Sequence, residues 1–203
     1  MPETPSPAPR CSPFAKAAGE LWLRARGWRV EAVPLPHPKF VLIAAPHTSN
    51  WDAAYMLATA GAMGIRLSWL AKDSLFTFPL GTVMRATGGI PVDRSQRNRL
   101  VDDAVALLRR SERLILAVSP EGTRSHAGQW RSGFYHIARQ AEVPLGLGYL
   151  DYAKRTCGIK AFLTPPGNLA QDMAFIRATY EGTRGRYPER ETVPRLKDEG
   201  AAG

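Results

Sequence analysis

His47 and Asp52 are the pair of residues whose types and spacing best suit proton transfer. Inside one helix, five residues at 100° each would leave them about 140° apart, unable to meet. If His47 instead lies on a strand-to-helix turn and Ser49 or Asn50 is the N-cap, Asp52 falls in the first helical turn. Its carboxylate then reaches back to one imidazole nitrogen, fixes the tautomer and leaves the other nitrogen to take a proton from an alcohol. The bland alternative for the same residues is a polar turn with its helix cap. Backbone N–H groups of the turn after His47 are candidates to hold an oxyanion.

A second segment, Glu121-Gly122-Thr123-Arg124, has the composition of a phosphate cradle. Gly122 lets a ligand approach the backbone, Thr123 offers a hydroxyl and Arg124 a charge-assisted fork. Glu121 cannot bind phosphate, so it is expected to orient an arginine or to bond a ligand hydroxyl. A third piece, residues 88–94, ends in Arg94, a candidate second jaw of the same clamp. Taken singly, the second segment also reads as a surface turn and Arg94 as a solvated side chain.

These residues need elements to position them. Residues 40–45 and 114–118 are short, wholly apolar runs, the pattern of strands buried on both faces. The two polar segments directly follow them, where ligands bind in open α/β sheets. Extended stretches are also expected at 65–71, 89–92 and 143–150. Helices are expected at 14–28, from Asp52 to about Met63, and at 75–86, 98–110 and 133–141, with a last one marked by Leu169, Met173, Ile176 and Tyr180. The alternation predicts an α/β protein, a single-domain αβα sandwich around a largely parallel sheet. Residues 1–13 read as a disordered tail, 14–38 as an amphipathic helix and linker, 39–183 as the catalytic domain and 184–203 as a flexible C-terminal segment. The 14–28 helix suits either a membrane interface or a cap on the core.

The chain has 203 residues with 44% hydrophobic and 22% charged, which excludes wholesale disorder. Its net charge of +9 points to an anionic partner: a phosphate-bearing small molecule, a membrane surface or nucleic acid. No nucleic-acid motif and no basic run interleaved with aromatics is present. Cys11 and Cys157 fit neither a disulfide framework nor a zinc site, and no metal-ligand cluster or Gly-x-Ser-x-Gly elbow occurs. His126 and His136 do not share a helical face, and His37, between prolines, reads as a loop residue. Residues 1–10 hold an acid and four prolines ahead of no apolar run, which argues against a signal peptide. The longest weakly polar stretch, 53–65, is too short to span a bilayer. The expected location is the cytoplasm, peripheral on the membrane face.

Taken together, the pieces resemble the glycerolipid acyltransferase family, whose archetype acylates 1-acyl-glycerol-3-phosphate. The His-x4-Asp block (His47 to Asp52), the block from Gly88 to Arg94, the Glu-Gly-Thr-Arg block (Glu121 to Arg124) and a Val-Pro block at Val143-Pro144 follow in the family's order. The resemblance runs from about Lys39 to Asp151. Arg131-Ser132-Gly133-Phe134 is similar to the basic segment that trails the third block. The fold implied is glycerol-3-phosphate acyltransferase-like. The activity implied is transfer of a fatty acyl group from acyl-CoA or acyl carrier protein to the free hydroxyl of a lysophospholipid, with no metal or other cofactor. His47 would be the general base and Asp52 its support, while Arg94, Glu121, Gly122, Thr123 and Arg124 would bind the acceptor's glycerophosphate.

Gly146 stands where many relatives keep a second proline, so the acyl or acceptor pocket is expected to differ. Other acceptors, such as another lysophospholipid or lyso-ornithine lipid, stay open. A hydrolase that uses His47 to activate water, and a non-catalytic binder of anionic lipid or nucleic acid, are the rival readings.

Overall fold

The computed structural model describes residues 8–92, 97–122, 128–164, 167–197 and 199, with the side chains of 97–99 left aside. Among these residues the elements run α1 (Pro13–Ala25), β1 (Arg29–Val30), β2 (Lys39–Ala45), α2 (Trp51–Ala62), β3 (Ser68–Lys72), α3 (Leu80–Ala86), β4 (Gly89–Val92), α4 (Arg97–Arg110), β5 (Leu114–Val118), α5 (Gly133–Ala141), β6 (Leu145–Asp151), β7 (Thr156–Leu163) and α6 (Leu169–Tyr180). The seven strands form one sheet in the order β1-β7-β6-β2-β5-β3-β4. Every pairing is parallel except β6 with β7. The fold is therefore the α/β sandwich around a largely parallel sheet that the alternation of elements predicts.

The pleat sends alternate side chains to opposite faces. Val41, Ile43 and Ala45 of β2 point into a core shared with α4, α5 and α6. Phe40 and Leu42 point to the opposite core, which includes Ala60 of α2. Outside α2 lies α1, and the two helices meet backbone to backbone. A Cβ on Gly19 would stand 2.4 Å from Ala58 O, and one on Gly61 2.6 Å from Ala15 O. Ser12 caps α1 by accepting from Ala15 N at 3.2 Å.

Several expected boundaries move. The helix expected at 75–86 divides into a 3-10 turn, Asp73–Phe76, and α3. Pro79 lacks an N–H and restricts Phe78, so a continuous helix cannot pass through it. The strand expected at 65–71 starts only at Ser68, because Ile65 pairs instead with Arg10. Both β1 and β7 escape the sequence pattern: β1 is two residues long, and Gly158 and Lys160 break the apolar run of β7.

Two stretches read as loose are applied to the core. Of the expected disordered tail, residues 8–12 are described, and Ala8 is buried. Cys11 N donates to Gly64 O, and Arg66 N to Pro9 O. Of the expected flexible C-terminal segment, the described part crosses the sheet end that carries His47. Leu196 is buried, Trp130 N donates to Arg195 O, and Arg177 pairs with Glu199. Among the described residues, no helix is long and apolar enough to cross a membrane.

Candidate active site

Parallel β2 and β5 end side by side, so the turns that leave them share one edge of the sheet. The first turn carries His47 and runs into α2, whose N-cap is Asn50 and whose first turn contains Asp52. This is the arrangement the spacing predicts. His47 Nδ1 lies 3.3 Å from Asp52 Oδ2. The same Oδ2 accepts the N–H groups of Thr48 and Ser49, each at 2.8 Å. Asp52 therefore holds both the imidazole and the loop that carries it. His47 Nε2 is the ring nitrogen not committed to Asp52.

One expectation is corrected here. Thr48 and Ser49 N–H are already spent on the carboxylate, so they are not oxyanion donors. A buried aspartate needs its charge satisfied, and the nearest amides supply that.

Glu121 follows β5 and is 1% exposed. Its Oε1 accepts the backbone N–H of His47 at 3.0 Å, while Oε2 has no hydrogen-bond partner among the described residues. Among the described residues, Glu121 thus makes its hydrogen bond to the histidine's main chain. Burial pushes its carboxyl up to about 7 and Asp52's charge adds to this, while the N–H and charge of His47 oppose it. Gly122 adopts φ +66° beneath Arg131, and a Cβ there would stand 2.6 Å from Arg131 Nε. Arg94, Thr123, Arg124 and His126 lie outside the described residues. Among the described residues around the site, Arg131 is a cation in place.

His47 and Asp52 open into a cavity of about 790 Å³. Met56, Ile65, Leu67 and Trp69 are among its apolar lining, and Arg131 and Gly122 stand with His47 at its polar end. Trp69 is thus a cavity residue, and its Nε1–H donates to Thr87 O at 3.0 Å. Trp51 is half-exposed, beneath the Arg186 guanidinium at 5.8 Å. Gly146 leaves room for the edge-to-face rings of Phe40 and Phe162, 5.0 Å apart. His37 also packs on Phe162, and His136 is exposed on α5.

Sequence reading missed two supports. The Tyr152 hydroxyl donates to Asp52 Oδ1 at 2.7 Å from the β6–β7 turn. Thr48 is fully buried, and its Oγ1 accepts from Tyr187 N at 3.2 Å. Both partners lie more than 90 residues from the motif, so no spacing rule could point to them. The only signal in the sequence is an aromatic directly after the apolar β6 run.

The sequence profile of the Acyltransferase family matches residues 29–146, a span that contains β2, the His47–Asp52 turn, β5 and Glu121. No curated protein matches the chain. Among solved structures, the crystal structure of the 1-acyl-sn-glycerophosphate (LPA) acyltransferase PlsC from Thermotoga maritima shares the fold. The TM-score is 0.57 at 18% identity, covering 84% of this chain and 75% of that one. With more than half of its length inside the family profile, this chain belongs to the Acyltransferase family.

Proposed function

We propose that this protein transfers a fatty acyl group from acyl-CoA or acyl carrier protein to the free hydroxyl of a lysophospholipid, 1-acyl-glycerol-3-phosphate or a related lysolipid, with His47 as general base. The observation that carries the reading is the His47–Asp52 contact at the polar end of a largely apolar cavity. The apolar part suits an acyl chain, and the polar end suits the reacting alcohol and thioester.

In the reaction His47 Nε2 takes the hydroxyl proton as the oxygen attacks the thioester carbonyl. Asp52 stabilises the imidazolium through Nδ1. The tetrahedral intermediate then expels the thiolate, which recovers the proton from His47, so atoms and charge balance without a covalent acyl-enzyme. Glu121 and Asp52 act as positioning residues. Arg94, Gly122, Thr123 and Arg124 keep the headgroup role that the family resemblance implies, and Arg131 adds a described cation on the same side. The enzyme works at the membrane surface as a peripheral protein on the cytoplasmic face.

The deciding experiment is mass spectrometry of products from purified protein, a set of acyl-CoA and acyl carrier protein donors, and a lysolipid panel including lysophosphatidate and lyso-ornithine lipid. An acylated lysolipid absent from the His47→Ala reaction supports the reading and names the acceptor. Free fatty acid without acylated lipid assigns a hydrolase instead.

A further inference from the structure

The surface around α3 is unlike the rest of the described exterior. Among the described residues ten large apolar side chains stand out as exposed, and four of them, Leu75, Phe78, Leu80 and Val83, fall within nine residues. Phe78 is 92% exposed, more than any other of the ten. Isolated exposed leucines need no explanation, but a cluster of this kind does. Packing accounts for the rest of the segment: Phe76 is buried, and Gly81 lies so close to Phe76 O that a Cβ would stand 2.1 Å away. The backbone is thereby held with the other four side chains outward.

Position matters as much as exposure. Strand β3 ends at Lys72 and runs parallel to β5, itself parallel to β2, so residues 73–80 begin at the sheet edge that carries His47. Leu75 is 41% exposed and also lines the cavity that reaches His47 and Asp52, as does Met84. The cavity therefore meets the surface beside this patch. Lys72 and Arg85 are exposed on its flanks. The one acid in the stretch, Asp73, accepts from the next residue's N–H at 2.7 Å.

We infer that the 3-10 turn and α3 form the face by which this protein docks on an anionic phospholipid bilayer, with Phe78, Leu80 and Val83 inserted among the acyl chains and Leu75 at the doorway to the cavity. The inference deepens the reading of the chain as a lipid acyltransferase, because a substrate held in a bilayer must reach the cavity without exposing its chains to water. Charge selects the occupant. A chain of net +9 is attracted to an anionic surface and repelled by a second copy of itself. The alternative face, α1, also exposes Phe14 and Leu21. However, its first turn packs against Gly61, and no residue of α1 lines the cavity. A bilayer there would not meet the cavity opening.

The test is co-sedimentation of the full chain with vesicles of mixed phosphatidylglycerol and phosphatidylcholine. Phe78→Asp and Val83→Asp are compared with Leu21→Asp on α1, and circular dichroism melts check that each variant folds. Wild type and His47→Ala should bind alike, since docking needs no turnover; a failure of the catalytic reading thus stays separate from a failure of this one. Each α3 variant should lower the partition coefficient by about tenfold, as expected for one large apolar side chain withdrawn from hydrocarbon. Leu21→Asp should bind close to wild type, and pure phosphatidylcholine should bind all forms more weakly. The inference is overturned if wild type does not bind, if Phe78→Asp and Val83→Asp bind like wild type, or if Leu21→Asp loses as much. It is also overturned if sedimentation equilibrium shows that Phe78→Asp breaks a dimer, which would assign the face to a second copy.

Discussion

The hydroxyl of Tyr152 donates to Asp52 Oδ1 at 2.7 Å, across 100 residues of sequence. Oδ2 of the same carboxylate serves Thr48 N, Ser49 N and His47 Nδ1, so both oxygens are engaged. Burial and the bond to Asp52 push the phenol far above its usual range, so it remains a donor at any working pH. Trp28 packs edge-on against the Tyr152 ring at 4.9 Å and Tyr55 at 5.5 Å, which fixes its direction.

Tyr152→Phe keeps that packing and removes only the donor. A hydrogen bond to a buried charge contributes about 1.5–3 kcal/mol, and urea unfolding should show a loss in that range. In the acyltransferase assay kcat should fall about tenfold with acceptor KM little changed, because Tyr152 does not line the cavity.

Asp52→Asn should fold, since its oxygen can accept the Thr48 and Ser49 amides while its NH₂ donates to the Tyr152 hydroxyl. It cannot stabilise an imidazolium at His47. Turnover should drop by roughly 10²–10⁴-fold with a near-native melting temperature, measured by steady-state kinetics and calorimetry.

Glu121 supplies a pH dependence of stability. Its carboxyl in the folded state is raised from 4.5 to about 7, so between those values the folded protein holds the proton more tightly than the unfolded chain. Stability from this group is full below about 4.5 and is lost as pH rises through about 7. Glu121→Gln keeps the acceptor for His47 N–H and abolishes the titration. Denaturant unfolding at pH 5 and at pH 8 should show the variant gaining on wild type by up to about 3 kcal/mol at the higher pH.

Gly19→Ala tests the seating of α1. The added methyl meets a backbone carbonyl of α2, at 2.4 Å, rather than a side chain that can move. The two helices must separate, at a cost of about 1–3 kcal/mol despite alanine's better helix propensity. A lowered melting temperature, absent from Ala18→Gly beyond its propensity loss, is the expected result.

Much of this was legible in the chain itself. Apolar runs of strand length placed β2 and β5, and a stripe of Leu100, Val101, Ala104, Leu107 and Leu108 placed α4, because burial imposes a local period on the sequence. His47 and Asp52 could be paired because one turn and one helix start separate them. The missed elements have no such period: β1 is too short, and β7 is interrupted by Gly158, which passes so close to Glu31 O that a Cβ would stand 2.0 Å away.

The sequence alone singled out His47 and Asp52 as the pair suited to proton transfer, the family pattern they resemble, and the sheet edge that carries them. Only the tertiary structure decided what holds them. It gave Asp52 a partner in Tyr152, turned Glu121 onto the main chain of His47, and laid residues 184–187 over Thr48, where a Cβ on Gly185 would stand 2.8 Å from its hydroxyl. The reason is physical. A turn and its first helical residues interact through the local backbone, which spacing records. Burying a carboxylate calls for donors from whatever strand or segment the fold brings alongside, and the order of strands in a sheet leaves no periodic trace in the chain.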